Sequence, residues 1–153
     1  MKEKEFGWMI NFEGLFIEKL NIISDNRGSV LKFISKDSKG YKKFGECYIS
    51  EIKPGVIKAW KLHKIQTQNM AILDGKIKLN LYDLRKNSES YKENFSLEVG
   101  RPNNYFRITI PPGILYGFKC ISKNKAIIIN CTDIEHDPKE TKNIGLEEYL
   151  FKQ

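Results

Sequence analysis

An all-β domain, either a sandwich or a closed barrel, is the architecture this sequence predicts, and three observations carry it. About ten short runs alternate apolar and polar side chains, the period of a half-buried strand. Turn residues punctuate the gaps between them: Ser24-Asp25-Asn26-Arg27-Gly28, Pro54-Gly55, Asp74-Gly75 and Pro111-Pro112-Gly113. One stretch alone, Gly145 to Phe151, reads as helical, a short C-terminal helix.

The elements follow in order. Leu15 to Ile23 is a strand, and the Ser24–Gly28 turn sends the chain back along Ser29 to Ile34. Ser35 to Gly40 is a polar loop. Phe44 to Ile52 alternates well, and Pro54-Gly55 then turns the chain. Val56 to His63 is the next strand. A polar bend separates it from Asn69 to Leu73. Asp74-Gly75 is the pair a tight hairpin uses, and Lys76 to Leu84 (KIKLNLYDL) would return from it. After a short loop at Ser88 to Lys92, the runs Asn94 to Val99, Tyr105 to Ile110, Gly117 to Ile121 and Ala126 to Asn130 complete the set. There is no internal repeat. The 153 residues read as one domain with a single core, spanning 1–153.

Composition narrows the function classes. Hydrophobic residues make up 41% and charged residues 29%, the balance of a soluble globular chain. No apolar run reaches the ~18 residues of a membrane span, and the acidic start MKEKEFGWMINFEGLF is not a secretory leader. Cys47, Cys120 and Cys131 are odd in number and lack CxxC spacing, which suits a reduced cytoplasmic chain with buried thiols. The net charge of +7 would attract an anion such as a nucleotide diphosphate, or simply reflect a lysine-rich solvated surface. The lysines are scattered, and arginine is confined to Arg27, Arg85, Arg101 and Arg107. No basic cluster interleaved with stacking aromatics appears, so nucleic acid is not the expected partner. Nucleophile-elbow and phosphate-loop motifs are absent.

Five segments carry a family resemblance, from about Phe12 to Glu140. They are Asp25-Asn26-Arg27-Gly28; Gly55-Val56-Ile57-Lys58 with Trp60 to His63; Gly75 with Tyr82-Asp83-Leu84-Arg85; Ile110-Pro111-Pro112-Gly113 with Gly117-Phe118; and Cys131-Thr132-Asp133 followed by His136-Asp137-Pro138 and Glu140. In combination they resemble the dTDP-4-dehydrorhamnose 3,5-epimerase family and its sugar-nucleotide ketoisomerase relatives. The resemblance implies a cupin-type jelly-roll β-barrel, with chemistry on inward-facing side chains, and a homodimer. It implies proton abstraction next to the ketone of a nucleotide-linked 4-keto-6-deoxy hexose, in polysaccharide or glycan synthesis. The base would be a histidine oriented by a carboxylate and the acid a tyrosine, on opposite walls. No metal and no redox cofactor is implied, since the ketone itself stabilises the carbanion.

The chain departs from the family at several of these positions. The catalytic histidine aligns with Lys61 or with His63, depending on how the strand is matched. Both point to one face of the strand, so either could reach a sugar. The family tyrosine falls near Ile129, and the glutamate after the D-x-R-G turn falls near Lys32. The C-terminal extension with its orienting carboxylate has no evident counterpart. Tyr116 stands where the I-P-x-G-x-x-H segment carries histidine, and could supply the acid from another direction. His63 is the leading base, with Lys61 as helper or alternative. Around it Gln66, Thr67, Gln68 and Asn69 could form a floor for sugar hydroxyls, or merely a polar bend with a structural histidine. Gln66 and Gln68 are the candidate substrate contacts there. Arg27 could fork onto a diphosphate or bond its own turn, and Arg85 would pair locally with Asp83. Tyr48, Trp60, Tyr82, Phe106 and Phe118 read mostly as core. His63, Tyr116 and the distant His136 do not assemble three metal ligands. The alternative to an epimerase or ketoisomerase is a non-catalytic sugar-nucleotide or carbohydrate-binding barrel.

Overall fold

The computed structural model of the chain describes residues 12–153. The residues read above as lacking a secretory leader lie mostly outside that range. Twelve strands are formed among the described residues: β1 (Phe16–Lys19), β2 (Ile22–Asp25), β3 (Gly28–Leu31), β4 (Glu46–Ile52), β5 (Ile57–His63), β6 (Gln68–Asp74), β7 (Lys76–Asp83), β8 (Asn94–Gly100), β9 (Phe106–Ile110), β10 (Ile114–Cys120), β11 (Ala126–Thr132) and β12 (Thr141–Asn143). They build two five-stranded antiparallel sheets, ordered β1-β9-β6-β11-β4 and β12-β5-β10-β7-β8, with β2 and β3 as a separate hairpin. This is the jelly-roll layout of a cupin-type barrel.

From β4 to β12 the chain crosses from one sheet to the other at every connection except β7 to β8. That corrects the expectation at Asp74-Gly75. The strands on either side of it do not pair with each other, so the turn is a corner between sheets and not a hairpin. Gly75 is required there by space as well as by its φ of +73°, since a Cβ would sit 2.8 Å from both Ala126 Cα and Lys125 O. The expected strand from Leu15 to Ile23 is also divided, because the chain leaves the first sheet after Lys19 and enters the β2–β3 hairpin at Ile22. The expected C-terminal helix is a single 3₁₀ turn, Leu146–Glu148.

Between the sheets lies a core that includes Ile72, Leu79, Leu81, Ile108 and Ile114, each at most 1% exposed. A second cluster, built on Trp60, Leu115 and Phe151, covers the outer face of the second sheet. The C-terminal segment is strapped to that face. Tyr82 donates to Leu150 O at 2.6 Å, and Asn80 exchanges two hydrogen bonds with the Lys152 backbone at 3.2 and 2.9 Å. Apolar burial outside and inside this sheet fixes the orientation of β5 and β10, the strands that carry the candidate base.

One irregularity shapes the inner wall. Tyr116 pairs with Lys61, but Phe118 pairs with Lys58, so β5 holds one extra residue opposite Gly117. Such a bulge bends a strand and re-aims its side chains. A side chain at 117 would meet Ala59 Cβ at 2.5 Å and Trp60 Cε3 at 3.0 Å, so the bulge and the glycine require each other.

Candidate functional site

Strand β5 ends in His63, which is 6% exposed and faces Glu140 across the sheet edge. Glu140 immediately precedes β12, whose register sets Thr141 against His63 and Asn143 against Lys61. The placement is local and tight. Lys64 N donates to Glu140 O at 3.0 Å, and Glu140 N donates to Asp137 O at 3.1 Å. His63 Nδ1–H donates to Glu140 Oε1 in a short buried contact. The other carboxylate oxygen accepts three backbone N–H groups, from Lys64 (3.1 Å), Ile65 (3.1 Å) and Gln66 (3.2 Å). Thr141 Oγ1 adds a fifth donor, to Oε1, at 3.0 Å. The polar bend after β5 thus wraps its amides around one carboxylate.

This geometry assigns the imidazole tautomer. With Nδ1 donating to a carboxylate, Nε2 of the neutral ring is an acceptor. Tyr116 OH lies 3.3 Å from Nε2, with the two rings stacked at 6.0 Å between centroids. Burial lowers the pKa of His63 below the ordinary imidazole value, against the raising effect of Glu140, and the positive charge of Lys61 lowers it further. Burial works to raise the Glu140 pKa, but the bonds from His63 and from the Ile65 and Gln66 amides outweigh it and hold the carboxyl at about 2. A neutral imidazole backed by a permanent carboxylate is a general base poised for use near neutral pH. Burial also pushes the Tyr116 phenol far above its usual range.

An adjoining cavity of about 400 Å³ opens between the sheets. The second sheet contributes residues 58–61 of β5, Tyr116 and Phe118 from β10, and Asn143 from β12. The first contributes Tyr48 and Ser50 from β4, Met70 from β6, and Ile128 and Asn130 from β11. Behind the first wall runs a line of side-chain amides. Gln66 Nε2 donates to Ile134 O (2.7 Å), Gln68 Nε2 to Gln66 Oε1 (2.5 Å), and Asn130 Nδ2 to both Gln68 Oε1 (2.5 Å) and Tyr48 OH (2.9 Å).

The residues singled out from sequence divide into three groups. Lys61 and Tyr116 line one wall of the cavity, and His63 lies behind that wall, bonded to Tyr116. Gln66 and Gln68 are buried and spend their amides on each other and on Ile134 and Asn130, behind the opposite wall. Arg27 lies apart, on the exposed β2–β3 turn, where it pairs with Asp25 at 2.6 Å. Arg85 grips Asp83 through two bonds of 2.9 and 2.7 Å, as its neighbour in sequence suggests. Cys120 and Cys131 are buried, but Cys47 is exposed, because it faces outward on the edge strand β4. No group of three or more His, Cys, Asp or Glu side chains among the described residues could hold a metal ion.

Three residues of the candidate site escape the sequence reading. The orienting carboxylate is present after all, as Glu140, and needs no C-terminal extension. Its signal was there, since Glu140 ends the last of the matched segments, but three-residue β12 has no alternation long enough to reveal the pairing. Tyr48 lines the cavity although it reads as core. Asn130 shares that wall, while Ile129, where the family tyrosine falls, sits between two inward-facing residues and points to the other face of β11.

Fold and site together define a cupin-type barrel whose interior is equipped for proton transfer. The particular family follows from comparison with known proteins. The model of the dTDP-4-dehydrorhamnose 3,5-epimerase family matches residues 9–150, and the chain belongs to that family. It is 29% identical over 128 residues to the spore coat polysaccharide biosynthesis protein SpsL of Bacillus subtilis (strain 168), covering 84% of each chain. It is 29% identical over 124 residues to a Haloferax volcanii protein named "Probable low-salt glycan biosynthesis epimerase Agl13", covering 80% of this chain and 79% of that one. Among solved structures, the dTDP sugar isomerase of Desulfovibrio desulfuricans G20 superposes with a TM-score of 0.86 at 36% identity, over 90% of this chain and 88% of that one.

Because the carboxylate raises the imidazole pKa against the effect of burial, removing its charge has a signed consequence. Glu140→Gln is expected to move the His63 titration, followed by NMR of the ring protons, to lower pH than in the wild type. An unchanged or higher midpoint would contradict the pairing.

Proposed function

We propose that this protein is a sugar-nucleotide epimerase or ketoisomerase, a one-domain enzyme acting on a nucleotide-linked 4-keto-6-deoxy hexose in polysaccharide or glycan synthesis. The observation that carries the reading is the buried Glu140–His63 pair bonded to Tyr116, which lines a cavity large enough for a sugar ring. Ketone chemistry needs a base for an acidified C–H bond. A neutral imidazole held in one tautomer supplies it. The similarity to a dTDP sugar isomerase at 36% identity supports a deoxythymidine diphosphate sugar as the substrate class.

In this reading His63 is the base. Lys61, on the wall in front of it, stabilises the oxygen that gains charge as the proton leaves. Tyr116 donates its hydroxyl proton to Nε2 in the resting site and stands between the base and the cavity, which makes it a proton-handling group on the base's own side. Gln66 and Gln68 shape the opposite wall through Asn130. The ketone of the substrate stabilises the carbanion, so the reading calls for neither metal nor redox cofactor.

The same reading makes the protein a cytoplasmic homodimer that binds neither nucleic acid nor membrane. Three free thiols support a reducing compartment, and no helix among the described residues is long and apolar enough to cross a membrane. The β2–β3 hairpin belongs to neither sheet and exposes Ile23 and Val30 by 57% and 58%, and the edge strand β4 exposes Ile49 by 61%. A second copy would cover such surfaces and would bring Arg27 to a diphosphate at a neighbouring site. Sedimentation at micromolar concentration is expected to give about twice the 17.8 kDa chain mass. A monomer would contradict the dimer and leave Arg27 without a phosphate role.

The activity is tested by proton NMR in D2O with dTDP-4-keto-6-deoxyglucose. Protein-dependent loss of the C3 or C5 proton signal is expected, and His63→Ala should slow it by roughly 10²-fold or more. Line broadening without exchange would favour the binding-barrel alternative. Exchange that survives His63→Ala but not Lys61→Ala would move the base to Lys61.

A further inference from the structure

Between the base and the cavity stands a phenol. Tyr116 lines the cavity, whereas His63 is not among the described residues that line it. Both imidazole nitrogens are already engaged. Nδ1 donates to Glu140, and Nε2 accepts from the Tyr116 hydroxyl at 3.3 Å. No lone pair of His63 is left to face a bound sugar. The oxygen that sits between imidazole and cavity is that of Tyr116.

Tyr116 is also held where it stands. Its strand, β10, is central in the second sheet, and Tyr116 pairs with Lys61 of β5 on one side and Leu81 of β7 on the other. Its side chain belongs to the core cluster, is 5% exposed, and lies within 15° of parallel to the imidazole ring. Swinging the phenol away would leave the buried Nε2 acceptor unpaired, which the fold resists. Burial pushes the phenol pKa up, so the hydroxyl keeps its proton in the resting site and has one to give. Carboxylate, imidazole and hydroxyl thus stand in series, the arrangement by which an oriented base activates the group in front of it.

We propose that Tyr116 is the catalytic residue that meets the substrate, and that it relays the substrate proton to His63. The assignment rests on the proposed function and states how its base is reached. The Tyr116 oxygen takes the proton from the carbon beside the ketone while its own O–H proton passes to His63 Nε2. The C–H electron pair moves into the carbonyl to give an enolate. Tyr116 ends neutral, His63 ends as an imidazolium beside the Glu140 carboxylate, and the enolate carries the negative charge. Exchange of the relayed protons with solvent, followed by the reverse transfer, puts a solvent deuteron on carbon.

Tyr116→Phe removes one oxygen and keeps the ring. In D2O with dTDP-4-keto-6-deoxyglucose, the wild type is expected to take up deuterium. Tyr116→Phe should lose that uptake by roughly 10²-fold or more while still broadening the resonances of dTDP. A phenol that merely caps the base makes the opposite forecast, because its removal bares Nε2. Uptake by Tyr116→Phe at or above the wild-type rate would therefore overturn the relay and leave His63 as the direct base. A second measurement needs no variant, and decides the matter if Tyr116→Phe loses nucleotide binding too. Direct abstraction by imidazole moves no solvent-derived proton, whereas the relay moves the phenol proton in the same step. Release of tritium from substrate labelled at C3 and C5 is expected to run slower in D2O than in H2O, beyond the effect of viscosity. Equal rates would overturn the relay and leave the isomerase reading standing. Neither uptake nor release by the wild type would remove both.

Discussion

The Glu140–His63 contact is the interaction on which the rest of the site depends. It joins the end of β5 to the start of β12, and it recruits the amides of residues 64–66 as well. A buried carboxylate is tolerated only when its oxygens are satisfied, and here five donors reach it. Removing the carboxylate would strand those donors in a buried setting, at a typical cost of about 1–3 kcal/mol for each one left unsatisfied. The same contact bears on chemistry, because it decides which imidazole nitrogen carries the proton and leaves Nε2 as the lone-pair donor. Structure and chemistry are therefore not separable at this position.

The barrel supplies what the pair cannot. Because the chain alternates between sheets, residues near in sequence end on opposite walls, and strands far apart in sequence become neighbours. His63 and Gln68 are five positions apart, yet one serves the base wall and the other the amide line behind the facing wall. The bulge at Gly117 lets β5 present Lys61 beside Tyr116 while Trp60 packs outward against Leu115 and Phe151. The outer cluster and its C-terminal strap hold that wall from behind. Behind the facing wall the amides of Gln66, Gln68 and Asn130 are committed to one another, apart from the unpaired Asn130 Oδ1.

Much of this was legible in the sequence. Alternation marked most of the strands, since their inner faces meet a core and their outer faces meet solvent. The Asp25–Gly28 turn and the turn at Pro111–Gly113 were readable because their residues have few other uses. His63 stood out through its polar neighbours, although the side chains of Gln66 and Gln68 serve the facing wall and it is the backbone amides of residues 64–66 that surround its Glu140 partner. What stayed hidden is long-range. Asp74-Gly75 carries hairpin chemistry, but whether its flanking strands pair depends on sheet topology. Glu140 lies 77 positions from His63, and no local pattern links them. Tyr48 and Asn130 read as ordinary strand residues, because inward phenols and amides look the same in sequence whether they face a core or a cavity.

The central claim is that a neutral, carboxylate-oriented His63 removes the substrate proton. The pH profile of deuterium uptake by the wild-type enzyme tests it most directly. Burial lowers the His63 pKa, so the base stays unprotonated at neutral pH and uptake should fall only on acidification, with an inflection below the ordinary imidazole value of about 6.5. An inflection well above 7, in the range of a lysine or a phenol, would place the base on another residue and contradict the account.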